Sequence, residues 1–509
     1  MTIFKEAKVK IANGDLLGSY EKGIFIFKGI PYATPPIGIL RWMPPQPPAS
    51  WLGLRPALSF SPIAPQNASN FKRTSQFVIN ELQSEDCLYL NIWSPGLDEL
   101  KRPVLVWLHG GAFTLGSGSQ PDFSGNILAK NGDVVIVTLN YRLGLLGFLN
   151  LKEITNGEIP ATGNEGLLDQ IAALKWIRNN ISVFGGDPAN VTLFGESAGA
   201  MCIACLMAVP QVKGLFHKVI SQSGGANRAK PLDQAVSDAC LVLKSLDHNN
   251  RNIKTLKELT TQQLLSIQKD IEMKIQAMTI ATPVIDGNIL TESPIHAIKK
   301  GSSAHIPMLI GSNLEEWKLF NPSTINFKKM DNFGLAQRLS KFVPTPKIYS
   351  LIEAYRLIRE KQKLSSIPAD LYIAIKSDHD FRIPTIRLAE AQNLQSPSVF
   401  CYLFNWQSPD ETFGSCHSLE IGFVFGTFNN NPKFYGFGPF AEKLSRIMQD
   451  AWIAFTRTGN PSCISLGNWP VYGSKRITQF LGANCHLEES PYNDESRLWD
   501  TIPENYSLL

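Results

Sequence analysis

One pentapeptide constrains this chain more than any other: Gly195-Glu196-Ser197-Ala198-Gly199, lying between the apolar run VTLF (191–194) and the apolar stretch 198–209. Hydrophobic flanks on both sides turn G-x-S-x-G into strand, sharp turn and helix. The serine then occupies a strained turn, and glycines at 195 and 199 leave room for the elements that cross it. The turn lifts the Ser197 hydroxyl clear of the sheet and aims the N-terminus of the next helix at it. Five residues match by chance in many proteins, so the reading rests on what surrounds them.

The surroundings alternate in period. VLVWL (104–108) and VVIVTL (134–139) are short continuous apolar runs, as strands covered on both faces require. Leu167, Ile171, Leu174, Ile177 and Ile181 recur at helical steps within 166–181. Phe184-Gly-Gly-Asp-Pro reads as a break of turn residues, and 191–194 as the next strand. Strand, helix, strand, helix predicts an α/β fold with a large, mostly parallel central sheet flanked by helices. IPMLI (306–310) and VFCYLF (399–404) predict further strands, and 447–457 a late helix. Two stretches rich in Lys, Leu and Gln, about 240–280 and 335–375, predict helical insertions. The 509 residues exceed the usual domain size of about 100–150. With no Pro/Ser-rich linker and no internal repeat, the whole of 1–509 is read as one domain with insertions.

Composition excludes several classes. A net charge of +4 and scattered basic pairs leave no nucleic-acid footprint. No stretch reaches the ~20 apolar residues of a membrane span. MTIFKEAKVK (1–10) leads into no apolar signal segment, which points to a cytoplasmic protein. The 8 cysteines are too sparse for a disulfide framework. Cys202 and Cys205 form a lone C-x-x-C with no second ligand pair nearby, so they read as small core residues and no metal site is expected.

The chemistry needs three further parts. Acyl transfer creates an oxyanion, which calls for converging backbone N–H donors. His109-Gly110-Gly111-Ala112-Phe113, directly after VLVWL, supplies a Gly-rich turn for this purpose, and the Ala198 N–H adds another donor. A base must take the serine proton. Chain order in such folds is Ser, acid, His, which leaves His417, His486 and the histidines from 217 to 379. His417 follows the strand VFCYLF and a turn-rich loop, at the strand end where sites of open α/β sheets lie. An acid must orient that base. Glu315 and Glu316 both follow IPMLI and the turn Gly311-Ser-Asn, and spacing alone does not choose between them.

Taken together these residues resemble the type-B carboxylesterase family, which includes the para-nitrobenzyl esterases and the cholinesterases. The similarity runs through FKGIPYA (27–33), SEDCLYLN (84–91), HGGAF, LNYRLGLLGF (139–148), GNEGLLD (163–169), the serine motif, SQSG (221–224), Asp380-Phe381 with Pro384, and CHSLEIGFVFG (416–426). The resemblance implies an α/β-hydrolase fold with its insertions over the active site. It implies Ser197, Glu316 and His417 as the catalytic triad, and Gly111, Ala112 and Ala198 as oxyanion donors. It also implies Glu196 and Ser223 as supporting polar groups. The expected activity is hydrolysis of a small-molecule carboxylic ester through an acyl-enzyme, with no metal or organic cofactor. A lipase-like interfacial esterase and a non-catalytic binding protein are the alternatives. The sequence carries no signal for oligomeric state. It departs from the family at Ala64, where a partner for Cys87 is common, at Trp317, where glycine often follows the acid, and at Gly422, where proline is frequent.

Overall fold

Apolar runs of five to seven residues bury every side chain only in the interior of a sheet covered on both sides. The computed structural model, which describes residues 6–68, 81–246, 253–321 and 325–502, puts these runs in an eleven-stranded sheet. In chain order its strands are β1 (Ser19–Glu21), β2 (Ile24–Pro31), β3 (Tyr89–Ser94), β4 (Arg102–Leu108), β5 (Val135–Leu139), β6 (Gly186–Glu196), β7 (Lys218–Gln222), β8 (Met308–Asn313), β9 (Val399–Phe404), β10 (Ile477–Leu481) and β11 (His486–Glu489). Their spatial order is β11-β10-β9-β8-β7-β6-β4-β5-β3-β2-β1. From β4 to β10 every pairing is parallel, and antiparallel strands close both edges.

Strand β4 shows how the core is divided. Val104, Val106 and Leu108 pack on one face, with Leu174 of α1 (Glu165–Asn180) and Ile203 of α2 (Ala198–Ala208). Leu105 and Trp107 pack on the other, with Phe194 and, from a helix near the C-terminus, Trp452. Cys202 and Cys205 are buried in α2, and all 8 cysteines are unpaired. Among the described residues no helix is long and apolar enough to cross a membrane.

Two stretches of the insertions are helical. The first comprises α3 (Leu232–Lys244), a short helix at Ile253–Glu258, and α4 (Thr261–Ile275), which opens on a Thr260–Gln263 capping box. Residues 247–252 of this insertion lie outside the described residues. The second comprises α5 (Asn332–Leu339), α6 (Ile348–Lys361) and α7 (Pro368–Ser377), running through Asp378–Arg382 into α8 (Ile383–Asn393). Each of the two packs into a separate small apolar cluster shared with other parts of the chain, the first with Trp42 and Leu145, the second with Trp499 and Ile502.

The structure corrects the sequence reading at three points. Strand β6 starts at Gly186, so Asp187 and Pro188 are not part of the turn. Gly185, at φ 77°, makes the turn, and 187–190 bulge opposite Pro103 between the pairs Arg102–Gly186 and Val104–Val191. A bulge accommodates a proline that has no N–H for the ladder. The late helix, α9 (Pro439–Thr458), begins eight residues earlier than 447 because Pro439 opens it, and it ends at Gly459 in the left-handed region. A small sheet of Lys8–Ile11, Gly14–Leu17 and Leu54–Pro56 was not anticipated; its strands are too short to show a period.

Candidate active site

Ser197 follows the last residue of β6 and precedes the first of α2, with φ 54° and ψ −124°. A non-glycine residue there is strained, at a cost on the order of 1–3 kcal/mol. The neighbouring glycines are required by β4. A Cβ at Gly195 would lie 2.7 Å from the Leu108 carbonyl oxygen, and one at Gly199 would overlap that same oxygen. The Ser197 N–H donates to the Gln222 carbonyl at 2.9 Å, tying the turn to β7.

The loop after β4 is equally constrained. Gly111 has φ 112°, and Ala112 and Phe113 have φ 53° and 62°. His109 is buried, stacks on Tyr141 with ring centroids 4.5 Å apart, and its carbonyl accepts the Tyr141 hydroxyl at 2.7 Å. Burial lowers its pKa to about 4, so it is a neutral structural group. The backbone N–H groups of Gly111, Ala112 and Ala198 have no acceptor among the described residues. All three residues line one cavity with Ser197 and His417.

His417 lies on the loop after β9. Its Nδ1 is 2.6 Å from Glu316 Oε2, and its Nε2 is 2.9 Å from Glu196 Oε1. The Ser197 hydroxyl makes no hydrogen bond to a described residue, so in this conformation Glu196, not Ser197, faces Nε2. Phe381 and Phe320 pack on the imidazole, with ring centroids 4.4 Å and 5.2 Å away. The structure separates the two adjacent acids by direction. Glu316, fully buried on a turn after β8, also accepts the Asn313 N–H at 2.7 Å. Glu315 points away, to Lys318 Nζ at 2.8 Å and the Ser415 N–H at 3.0 Å. Of the other histidines, His217 accepts the Val191 N–H, His379 pairs with Asp380, and His486 pairs with Glu488 on the surface. His248 lies outside the described residues. Apart from His417, no described histidine lines the cavity.

Behind the imidazole is a carboxylate network that the sequence reading missed in part. Ser418 Oγ donates to Glu196 Oε1 at 2.6 Å. Glu420 accepts Gln222 Nε2 at 3.0 Å and Asn313 Nδ2 at 2.7 Å, and Gln222 in turn accepts Trp452 Nε1 at 3.0 Å. Three acids, Glu196, Glu316 and Glu420, are thus buried around one histidine. Burial, with Glu196 and Glu316 nearby, raises Glu420 to about 7. Burial alone would lower the pKa of His417, but Glu196 and Glu316 outweigh it and hold the imidazole well above the ordinary histidine value. A signal for Glu420 was present in the sequence: an acid three residues after His417, followed by the apolar run IGFVF. Ser223 is not brought into this network. Its hydroxyl is buried without a hydrogen-bond partner among the described residues, while its N–H donates to Gly311.

The cavity encloses about 730 Å³. Its wall beside His417 is aromatic: Phe320 contacts Trp317 at 5.2 Å, and Trp317 contacts Tyr372 at 6.0 Å. Trp317 is fixed by its N–H to Ser377 Oγ at 3.0 Å and its Nε1 to Asp380 Oδ2 at 2.7 Å. A hydroxyl in a strained turn, an imidazole between two carboxylates, and free N–H donors at one apolar cavity are the components of acyl transfer.

Comparison with known proteins agrees in kind. The model of the carboxylesterase family matches residues 5–499. The para-nitrobenzyl esterase of Bacillus subtilis (strain 168) is 36% identical over 489 residues, 95% of this chain and 96% of that protein. Carboxylesterase 4A of Bos taurus is 33% identical, over 95% of this chain and 92% of that protein. The crystal structure of a Geobacillus stearothermophilus carboxylesterase superposes with a TM-score of 0.85 at 35% identity, covering 97% of this chain and 100% of the other.

Proposed function

The chain belongs to the carboxylesterase family and is a carboxylic-ester hydrolase of the α/β-hydrolase fold, and on that premise we propose that it works through an acyl-enzyme on Ser197, with His417 as base and Glu316 as the orienting acid. The observation that carries the reading is the 2.6 Å bond from His417 Nδ1 to buried Glu316, in the cavity that Ser197 lines. In the proposed reaction Nε2 turns from Glu196 to Ser197 when substrate binds; catalytic hydrogen bonds often form only in the substrate complex.

His417 then takes the hydroxyl proton as Ser197 Oγ attacks the ester carbon. The N–H groups of Gly111, Ala112 and Ala198 receive the oxyanion, an interaction worth about 3–4 kcal/mol per donor in comparable sites. His417 returns the proton to the leaving alcohol, and water repeats the sequence to release the acid. Glu196 supports the charge of the imidazolium. The whole of 1–509 acts as one catalytic domain, its insertions walling the cavity. An apolar arm of the ester suits the aromatic wall beside the histidine. The unpaired cysteines support a reducing, cytoplasmic setting.

The test is a panel of p-nitrophenyl esters from acetyl to long acyl chains, with Ser197→Ala as control. The expected result is turnover that is best on soluble short chains, loss of it in the variant, and a phosphonate adduct on the Ser197 peptide by mass spectrometry. Activation only above the critical micelle concentration would replace this with the interfacial reading. No turnover by the folded wild type would replace it with a binding role.

A further inference from the structure

The far wall of the cavity carries more positive charge than its acids neutralise. Lys230 pairs with Asp238 at 2.6 Å. Asp380 serves both Lys376 at 2.9 Å and Arg228 at 3.3 Å. Arg338 and Lys341 have no carboxylate among the described residues. Arg338 lies over the rings of Phe327 and Tyr372, at 5.5 Å and 5.7 Å, and Lys341 donates to Gln276 Oε1 at 2.6 Å. All five of these cations line the same cavity as Ser197.

The charges are reached along the aromatic wall. From His417 the contacts run to Phe320, then Trp317, and Lys376 lies 5.1 Å from the Trp317 ring and 4.1 Å from that of Phe342. Burial pulls Lys376 below the ordinary lysine value even with Asp380 beside it. A cation held away from water against aromatic faces has lost hydration that an anionic ligand restores. Arg338 and Lys341 are exposed to water, and both line the cavity without an acid of their own among the described residues.

From this unbalanced charge at the end of an apolar passage we infer that the preferred substrates are anionic esters: esters with a carboxylate at the far end of one arm, received by Arg338, Lys341 and Lys376. The inference rests on the acyl-enzyme reading of the same site and adds the substrate class. The scissile carbonyl lies at Ser197, the arm runs along Phe320 and Trp317, and the terminal carboxylate replaces water at the cations. Only an arm long enough to pass both rings gains the contact, so the preference has a length optimum.

The experiment compares matched pairs at low ionic strength. One series is p-nitrophenyl monoesters of α,ω-dicarboxylic acids of increasing length, each against its neutral ω-amide. The other puts the carboxylate or amide on the alcohol arm of benzoate esters. The expected result is a ratio of kcat/KM, anion over amide, of about tenfold at the optimal length in one series, declining as salt is added. The ratio falls toward one in Arg338→Gln/Lys341→Gln and inverts in Arg338→Glu. Because it is taken between two substrates on the same protein, general damage cancels. A wild-type ratio near one at every length in both series, or one that the variants leave unchanged, overturns the inference while the triad reading stands. No turnover of either member by the wild type overturns both.

Discussion

Two buried histidines in this protein make the same bond and behave oppositely. His417 and His379 each bring Nδ1 to 2.6 Å from a carboxylate oxygen, and each packs against a phenylalanine ring, Phe381 at 4.4 Å and Phe342 at 4.5 Å. His417 is held well above the ordinary histidine value, whereas His379 is lowered to about 4. The difference lies in the far side of each ring and in what else its acid serves. His417 Nε2 meets a second carboxylate, that of Glu196. His379 Nε2 is buried without a partner among the described residues. Burial then depresses it, and the positive charges of Lys376 and Arg228 nearby oppose what Asp380 restores. A histidine–carboxylate pair alone is therefore no signature of a base; whether it lines the cavity of Ser197, and the remaining charges around it, decide.

The strongest way to break this comparison is to delete each imidazole. His417→Gln should lower kcat/KM by about 10⁴-fold or more, and His379→Gln by only a few-fold, measured on a p-nitrophenyl ester. Comparable losses in both would refute the assignment of the base. Glu316→Gln should follow with a loss of roughly 10²–10⁴-fold, while Glu315→Gln leaves the rate within a few-fold; a reversed order would exchange the acids. The pH profile sharpens the contrast next. In the proposed mechanism the base is neutral His417, so kcat/KM should fall as pH falls through its raised value. Glu196→Gln removes one of the carboxylates that raise it and should move that acid limb to lower pH. An unmoved limb would mean that Glu196 does not set the protonation of His417.

The smallest effect concerns stability. His379 is depressed to about 4 from 6.5, so the unfolded chain binds its proton first as pH falls. Stability is therefore lost between about pH 6.5 and 4, by roughly 3 kcal/mol at most. Melting curves of His379→Gln over that interval should show a flatter decline than the wild type. His417, raised instead, contributes the opposite slope, its stabilisation being lost as pH rises through the folded value.

How much of this was legible in the sequence follows from how local each cause is. The elbow at Ser197 was readable because strand, turn and helix follow one another within a few residues, although the steric demand on both glycines comes from the distant Leu108 carbonyl. The parallel strands were readable because unbroken apolar runs have few other uses. Choosing between Glu315 and Glu316 was not possible from spacing, since one turn sends neighbouring side chains in opposite directions. Glu420 was overlooked because its partners, Gln222 and Asn313, come from two other strands. The cationic wall was hidden for the same reason. Arg338 and Lys341 belong to one insertion segment and Lys376 to α7, and only tertiary packing faces them toward one cavity.

The unpaired cysteines have a practical consequence at the bench. None of them lines the cavity, and only Cys240, Cys463 and Cys485 are not buried. A maleimide dye and a serine-directed phosphonate therefore address different parts of the molecule. The protein can carry a reporter fluorophore without blocking its reaction centre, and active sites can be counted on the same labelled sample.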